Sequence, residues 1–290
     1  VTDPLIAVPN VSEGRDPRVL AAIGDAFARA GGRVLDVHAD PDHHRSVFTI
    51  AAAPGALAPV LLAGAREVVR RVDVSAHPGI HPHVGALDVA PIVHRTPGQR
   101  GAAVAEALVL GDLLGGELDL PVLLYGALAG GRARAELRRG GLRALEERLA
   151  AGEIRPDFGP PAPHPTAGAV LVAARPPLVA FNLELAPPAT LQDARRIAAA
   201  IREGGDDGLP GVRAIGLALA ARDGVAQVSM NVEDHVAVPL ARVVEAVRAH
   251  AAVAEAEVIG LPPLAAFAGF PSDLPVRNRR TLEDALRAAG

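Results

Sequence analysis

The chain has 290 residues, half of them hydrophobic and 21% charged, with a formal net charge of -4. This is globular composition, long enough for two domains, and so small a charge gives no reason to expect a nucleic-acid or membrane partner. Cysteine is absent and every basic side chain is arginine, which excludes disulfides, zinc-thiolate sites, thiol nucleophiles and Schiff-base lysines.

The opening VTDPLIAVPN lacks the basic and apolar regions of a signal peptide. No stretch approaches the ~18 unbroken apolar residues of a membrane span. With the missing cysteines, this fits a cytoplasmic location. Leu5–Pro9 reads as a short strand and Ser12–Gly14 as a turn. Asp16-Pro17 is a helix start, with Asp as the cap and Pro in the first turn, and Val19, Leu20, Ile23, Ala26 and Phe27 follow at helical spacing up to Gly31-Gly32. Val34–Val37 and Ser46–Ala52 read as strands. Leu57, Leu61, Ala65 and Val68 mark an amphipathic helix, and Ala86–Val93 is a strand. That order, β-α-β-β-α-β, is the ferredoxin-like split unit.

Beyond it come a helix near Gly101–Leu114, a strand at Val122–Tyr125 and one arginine-rich helix around Arg132–Ala150. That helix either anchors a polyglutamate tail or, as its interleaved acidic residues favour, is a solvated face with i,i+4 pairs. Pro156–Thr166 is a proline-rich loop, and Ala169–Ala174 and Leu178–Leu185 are strands on either side of Arg175-Pro176-Pro177. The pattern then repeats: helix Leu191–Arg202, connector Gly204–Gly211 (a plain loop or a lid), hairpin Val212–Leu219 and Val225–Asn231, a helix opened by Pro239, and strand Glu257–Gly260. A proline-rich tail ends in helix Leu282–Ala288. The expected class is therefore α/β (α+β), with two ferredoxin-like subdomains, 1–177 and 178–290. Helices cover one face of each sheet, and the free faces meet in a cleft.

Seven of the ten histidines lie between His38 and His94, interleaved with Asp36, Asp40, Asp42 and Asp88. Imidazole exchanges protons near neutral pH. His77 and His81 each precede proline, which holds the backbone extended, and His83 follows two residues after His81. Three histidines so pinned, ahead of a strand, point to a site rather than to chance. Asn10, Ser12 and Glu13 either line that site or only form the turn and helix entry. Asp36 and Asp88 either orient histidines or cap a loop.

Several segments, in order, resemble the glutamate formiminotransferase family: Val8–Gly14, Leu35–Val37, Asp42–Val47, His81–Val89, Leu124–Gly126, Pro156–Pro160, Phe181-Asn182, Ala226–Asn231 and Glu257–Leu261. The resemblance implies transfer of the formimino group from N-formimino-L-glutamate to N5 of tetrahydrofolate, which is a co-substrate. It implies that His81 is the catalytic histidine, that Arg45, which by itself could equally form a surface or strand-edge ion pair, binds a substrate or folate carboxylate, and that Gly159–Gly168 lines a folate groove between the subdomains. The expected substrate and folate residues are Asn10, Ser12, Glu13, His38, His44, Arg45, His77, His83, Gly85, Asp88, Tyr125, Gly159, Pro160, His164, Thr166 and Gly168. No metal is expected. The partners expected are small molecules and a second copy in a homodimer. Bifunctional relatives carry a cyclodeaminase domain after this one, so that second activity is not expected here.

The chain departs from the family pattern at Ile80 and His83, where glutamate and arginine are common, at His38, where many members have aspartate, and at Pro163–Gly168, which lacks an aromatic. Two alternatives therefore stay open. One is divergent folate-dependent formyl transfer, or folate binding without this activity. The other is a zinc- or iron-dependent enzyme with ligands drawn from His77, His81 and His83, with His38, His43 or His44 and an aspartate.

Overall fold

The computed structural model describes residues 3–75, 77 and 83–289, and the chain divides into two compact units, Val1–Pro176 and Pro177–Gly290. The first unit begins with β1 (Leu5–Ala7) and β2 (Asn10–Val11), one extended run interrupted at Pro9. Next come α1 (Pro17–Arg29), β3 (Arg33–Asp40), β4 (Arg45–Ala52), α2 (Leu57–Arg71) and β5 (Leu87–Val93). The chain continues with α3 (Arg100–Leu118), β6 (Val122–Leu124), α4 (Arg134–Arg138), α5 (Gly141–Ala150) and β7 (Val170–Arg175). β3, β4, the β1/β2 run and β5 pair antiparallel in that spatial order, and β7 and then β6 extend the sheet in parallel beyond β5.

Local chemistry sets these elements. Asp16 caps α1 by accepting from the Arg18 and Val19 amides, and Pro17 opens the helix. Ile23, Ala26 and Phe27 turn inward, and Phe27 meets Phe48 of β4 edge-to-face at 5.5 Å. Gly64 of α2 lets that packing close, because a Cβ there would lie 2.0 Å from the Phe27 ring. α2 has no cap of its own. Instead the buried Glu106 carboxylate of α3 accepts from the amides of Gly55, Leu57 (3.2 Å) and Ala58 (2.7 Å) at its start. The sequence pattern gives no hint of this cap from another helix.

Two expectations are corrected. The predicted helix Arg132–Ala150 is two helices, broken where Gly140 and Gly141 take φ of 77° and 70°. Arg148 of α5 folds back onto the Glu136 and Leu137 carbonyls that end α4. These helices are not merely a solvated face. Leu137, Leu145 and Leu149 pack on Val84, Val89, Leu123, Ala169, Leu171 and Ala173. The sheet face opposite α1, α2 and α3 is thus partly covered, because α4 and α5 have an apolar side of their own. The exposed Arg143–Glu147 pair is the solvated kind the charge pattern predicts.

The second unit has β8 (Val179–Leu185), α6 (Leu191–Ile201), β9 (Val212–Leu219), β10 (Val225–Val232), α7 (Leu240–Arg248) and β11 (Val253–Ile259). β12 (Val276–Arg277), which the sequence pattern misses, pairs in parallel with β11, and α8 (Leu282–Ala288) follows. The spatial order is β12-β11-β8-β10-β9. Val243, Val244 and Val247 of α7 are buried, as the spacing predicts. The 204–211 connector is held to its flanks by backbone hydrogen bonds. Glu203 bonds to Val212, Asp207 to Ala200 and Leu209 to Ile201, so its backbone is tied to α6 and β9. Arg222 and Arg277 bracket the buried Glu184, at 2.6 Å each, and also reach Glu255.

Candidate active site

Of the predicted site residues, Asn10, Glu13, His44, Arg45, His77, His83 and Asp88 gather where β2 and β3 end and β4 and β5 begin. Gly14 lies against the β3–β4 turn so closely that a Cβ would sit 2.4 Å from the Asp40 carbonyl and 2.5 Å from the Arg45 amide. This lets the Gly14 amide donate to His44 Nδ1 at 3.1 Å. His44 sits at φ 47°, a left-handed conformation uncommon for a residue with a side chain. Because Nδ1 accepts, the neutral ring carries its proton on Nε2. His77 Nε2 meets the His44 carbonyl at 3.1 Å, its ring stacks on His44 at 4.5 Å, and His83 meets His77 edge-on at 4.4 Å.

Burial pushes the His44 imidazole below its ordinary range, and the Arg15 and His83 charges add to this against the pull of Glu13. His77 is lowered first by burial and then by His83 and His44, while backbone contacts at His44 and Ser12 pull the other way. These two rings are therefore neutral bases near pH 7 rather than cations. Asp40 accepts from the His43 amide at 2.9 Å and the His43 ring at 2.5 Å. Burial alone would raise that carboxyl, but the bonds from His43 outweigh it and the group is lowered.

Beside the histidines lies a buried charge cluster. Asp88 is wholly buried. Its Oδ2 accepts from Arg45 Nη1 at 2.6 Å and from Arg138 Nη2 of α4, and its Oδ1 accepts the Val84 amide at 2.9 Å. Burial opposes ionisation of Asp88, but the Arg138 and Arg45 charges and these bonds overcome it, so the carboxyl lies far below the usual range. Arg138, chiefly through burial, drops to about 10. Asp88 thus orients arginines and caps the 84–88 loop. The alternative expectation, that it orients histidines, is not what the contacts give. Arg45 also donates Nε and Nη2 to Asn10 Oδ1, at 3.1 and 2.8 Å.

Other expected residues have packing or loop-forming places. Ser12 is buried and donates to the Gly85 carbonyl at 2.8 Å. Glu13 caps the turn before α1 through the Arg15 and Asp16 amides and lies 3.4 Å from His44. Gly85 and Gly168 meet backbone to backbone, and a Cβ on Gly85 would lie 1.9 Å from the Ala169 carbonyl. His164 Nδ1 accepts from the Ala167 amide at 3.0 Å, shaping the Thr166–Gly168 turn next to Val84. Gly159 packs under Leu120 and Gly115 at φ 78°, with half-buried Pro160 after it. Tyr125 is buried in the layer under α4 and α5, its hydroxyl without a partner among the described residues. His38 is half-buried on β3 opposite Val47. His81 and Ile80 lie outside the described residues. Among the described residues no group of three or more His, Asp or Glu side chains could hold a metal ion, and no helix is long and apolar enough to cross a membrane.

The formiminotransferase domain, N-terminal subdomain, matches residues 5–175, and the formiminotransferase domain matches residues 180–270. The chain belongs to the formiminotransferase family. Within that family it is 35% identical to the glutamate formimidoyltransferase of Thermoplasma acidophilum, over 88% of this chain and 87% of that protein. It is 33% identical to the glutamate formimidoyltransferase of Streptococcus pyogenes, over 90% and 89%. It is 38% identical to the formimidoyltransferase-cyclodeaminase of Gallus gallus over 87% of this chain, and spans about half (48%) of that protein's length. Two of the ordered motifs, Leu124–Gly126 and Pro156–Pro160, also hold to each other and to α3. Asp157 accepts from the Leu124 amide and Arg132, and Phe158 lies over Gly111 of α3.

The sequence pattern does not single out Arg138. It stands in an arginine-rich stretch, and its only mark is the neighbouring Leu137, whose burial turns α4 toward the sheet.

Proposed function

We propose that this protein transfers the formimino group of N-formimino-L-glutamate to N5 of tetrahydrofolate, releasing glutamate. The observation that carries the reading is the near full-length match to relatives named glutamate formimidoyltransferase, joined to neutral imidazoles and paired guanidiniums gathered at one end of a sheet. N5 attacks the formimino carbon and loses its proton. The tetrahedral intermediate then collapses as the glutamate nitrogen gains one. A histidine base serves both transfers, and His81 is the residue assigned to it. Neutral His44 and His77 keep that region from carrying extra positive charge near the amidine. Arg45, fixed by Asn10 and Asp88, is assigned to a substrate carboxylate. Asn10, Glu13, His83 and the 159–168 segment stay with substrate and folate binding. Tetrahydrofolate is the co-substrate, no metal takes part, and the protein acts as a cytoplasmic homodimer.

The test is a transfer assay with tetrahydrofolate and N-formiminoglutamate, comparing the wild type with His81→Ala. Acid converts 5-formiminotetrahydrofolate to the absorbing methenyl form. Product from the wild type and none from the variant upholds the reading. Equal turnover by both removes His81 from the chemistry. Tetrahydrofolate binding without product from the wild type rejects this donor.

A further inference from the structure

Asp88 is saturated. Both guanidiniums share its Oδ2 and the Val84 amide takes its Oδ1. One carboxylate therefore answers two arginines. Arg138 also feels Arg134, one turn earlier on α4, and that charge has the same sign. A surplus cation in a largely desolvated place is costly unless an anion meets it. The Arg138 Nε is buried and has no acceptor among the described residues, while its side chain and that of Arg45 each keep about 10% exposure. A clamp built only to dock α4 onto the sheet would be served by one arginine on one carboxylate. Here the excess is positive and lies beside the histidines.

We propose that Arg138 is a binding residue that, with Arg45, reads a carboxylate of the substrates. This rests on the formiminotransferase reading, and it adds a residue to the site. The donor offers the two carboxylates of its glutamate part, and the acceptor offers those of its glutamate tail. Both present the planar oxygen pair that guanidinium forks match.

The experiment is steady-state kinetics of Arg138→Gln and Arg138→Lys below the melting temperature of each. Arg138→Gln is expected to raise KM for one substrate by about tenfold or more, as loss of a charged hydrogen bond does, with a smaller change in kcat. Arg138→Lys should fall between that variant and the wild type. Further arms locate the carboxylate: donors lacking the side-chain carboxylate (N-formimino-2-aminobutyrate) or the α-carboxylate (N-formimino-4-aminobutyrate), and an acceptor with no carboxylate, 6-methyltetrahydropterin. The arm in which variant and wild type become equal names the source. Unchanged KM for both substrates in folded Arg138→Gln overturns the proposal. If that variant does not fold, unchanged KM values in Arg138→Lys do the same. Should the wild type transfer no formimino group, calorimetric titration with glutamate and with tetrahydrofolate decides separately. Binding weakened by Arg138→Gln keeps the subsite though the proposed reaction fails, and equal binding removes the subsite.

Discussion

Asp88→Asn tests the energetics of the site most directly. The amide keeps an oxygen for the Val84 amide, so the loop cap can survive. It removes the charge that Arg45 and Arg138 share and presents them with N–H donors or one neutral oxygen. Asp88 is wholly buried, and each arginine side chain is about 10% exposed, so water cannot replace the lost partner. Removing one member of a buried pair costs about 3–5 kcal/mol. In a unit of this size (Val1–Pro176) that is a fall in Tm of roughly 6–20 °C. The native carboxyl sits below its ordinary 3.8. Its stabilisation is therefore present above that value and is lost as pH falls through the lower native value. The deficit of Asp88→Asn should accordingly be constant between about pH 5 and 8. Thermal and urea melts of the wild type, Asp88→Asn, Arg138→Met and the double variant give the coupling. A Tm for Asp88→Asn within about 2 °C of the wild type would refute the claim that this carboxylate balances two buried cations.

Gly85→Ala places a Cβ 1.9 Å from the Ala169 carbonyl. Since backbone must move, a loss of about 3 kcal/mol or more is expected, visible as a lower denaturation midpoint. Glu106→Ala leaves three amides at the start of α2 without their acceptor. The expected cost is about 2–3 kcal/mol, with faster amide exchange at Leu57 and Ala58 as the residue-level check. His44 and His77 lie below their ordinary 6.5 in the folded chain. The unfolded chain therefore binds more protons below that value, and stability should fall as pH drops from about 6.5 toward the native values. His77→Gln should flatten the decline of Tm between about pH 7 and 5, and an unchanged slope would contradict the assignment.

The sequence alone determined those features whose causes are local. Asp16-Pro17 sets a helix start by its own hydrogen bonds, Leu57 to Val68 set a helix by spacing, and the ordered motifs place the chain in its family. Those signals need only neighbours within one or two turns. The tertiary structure alone decided what depends on partners far along the chain. Glu106 caps a helix some fifty residues away, Asp88 joins Arg45 to Arg138, and the Gly140-Gly141 break turns an apparently solvated arginine helix onto the sheet. A charge in a sequence carries no mark of its burial. Whether an arginine is a solvated side chain or a buried counter-ion depends on which carboxylate the fold brings to it, and on how little water remains.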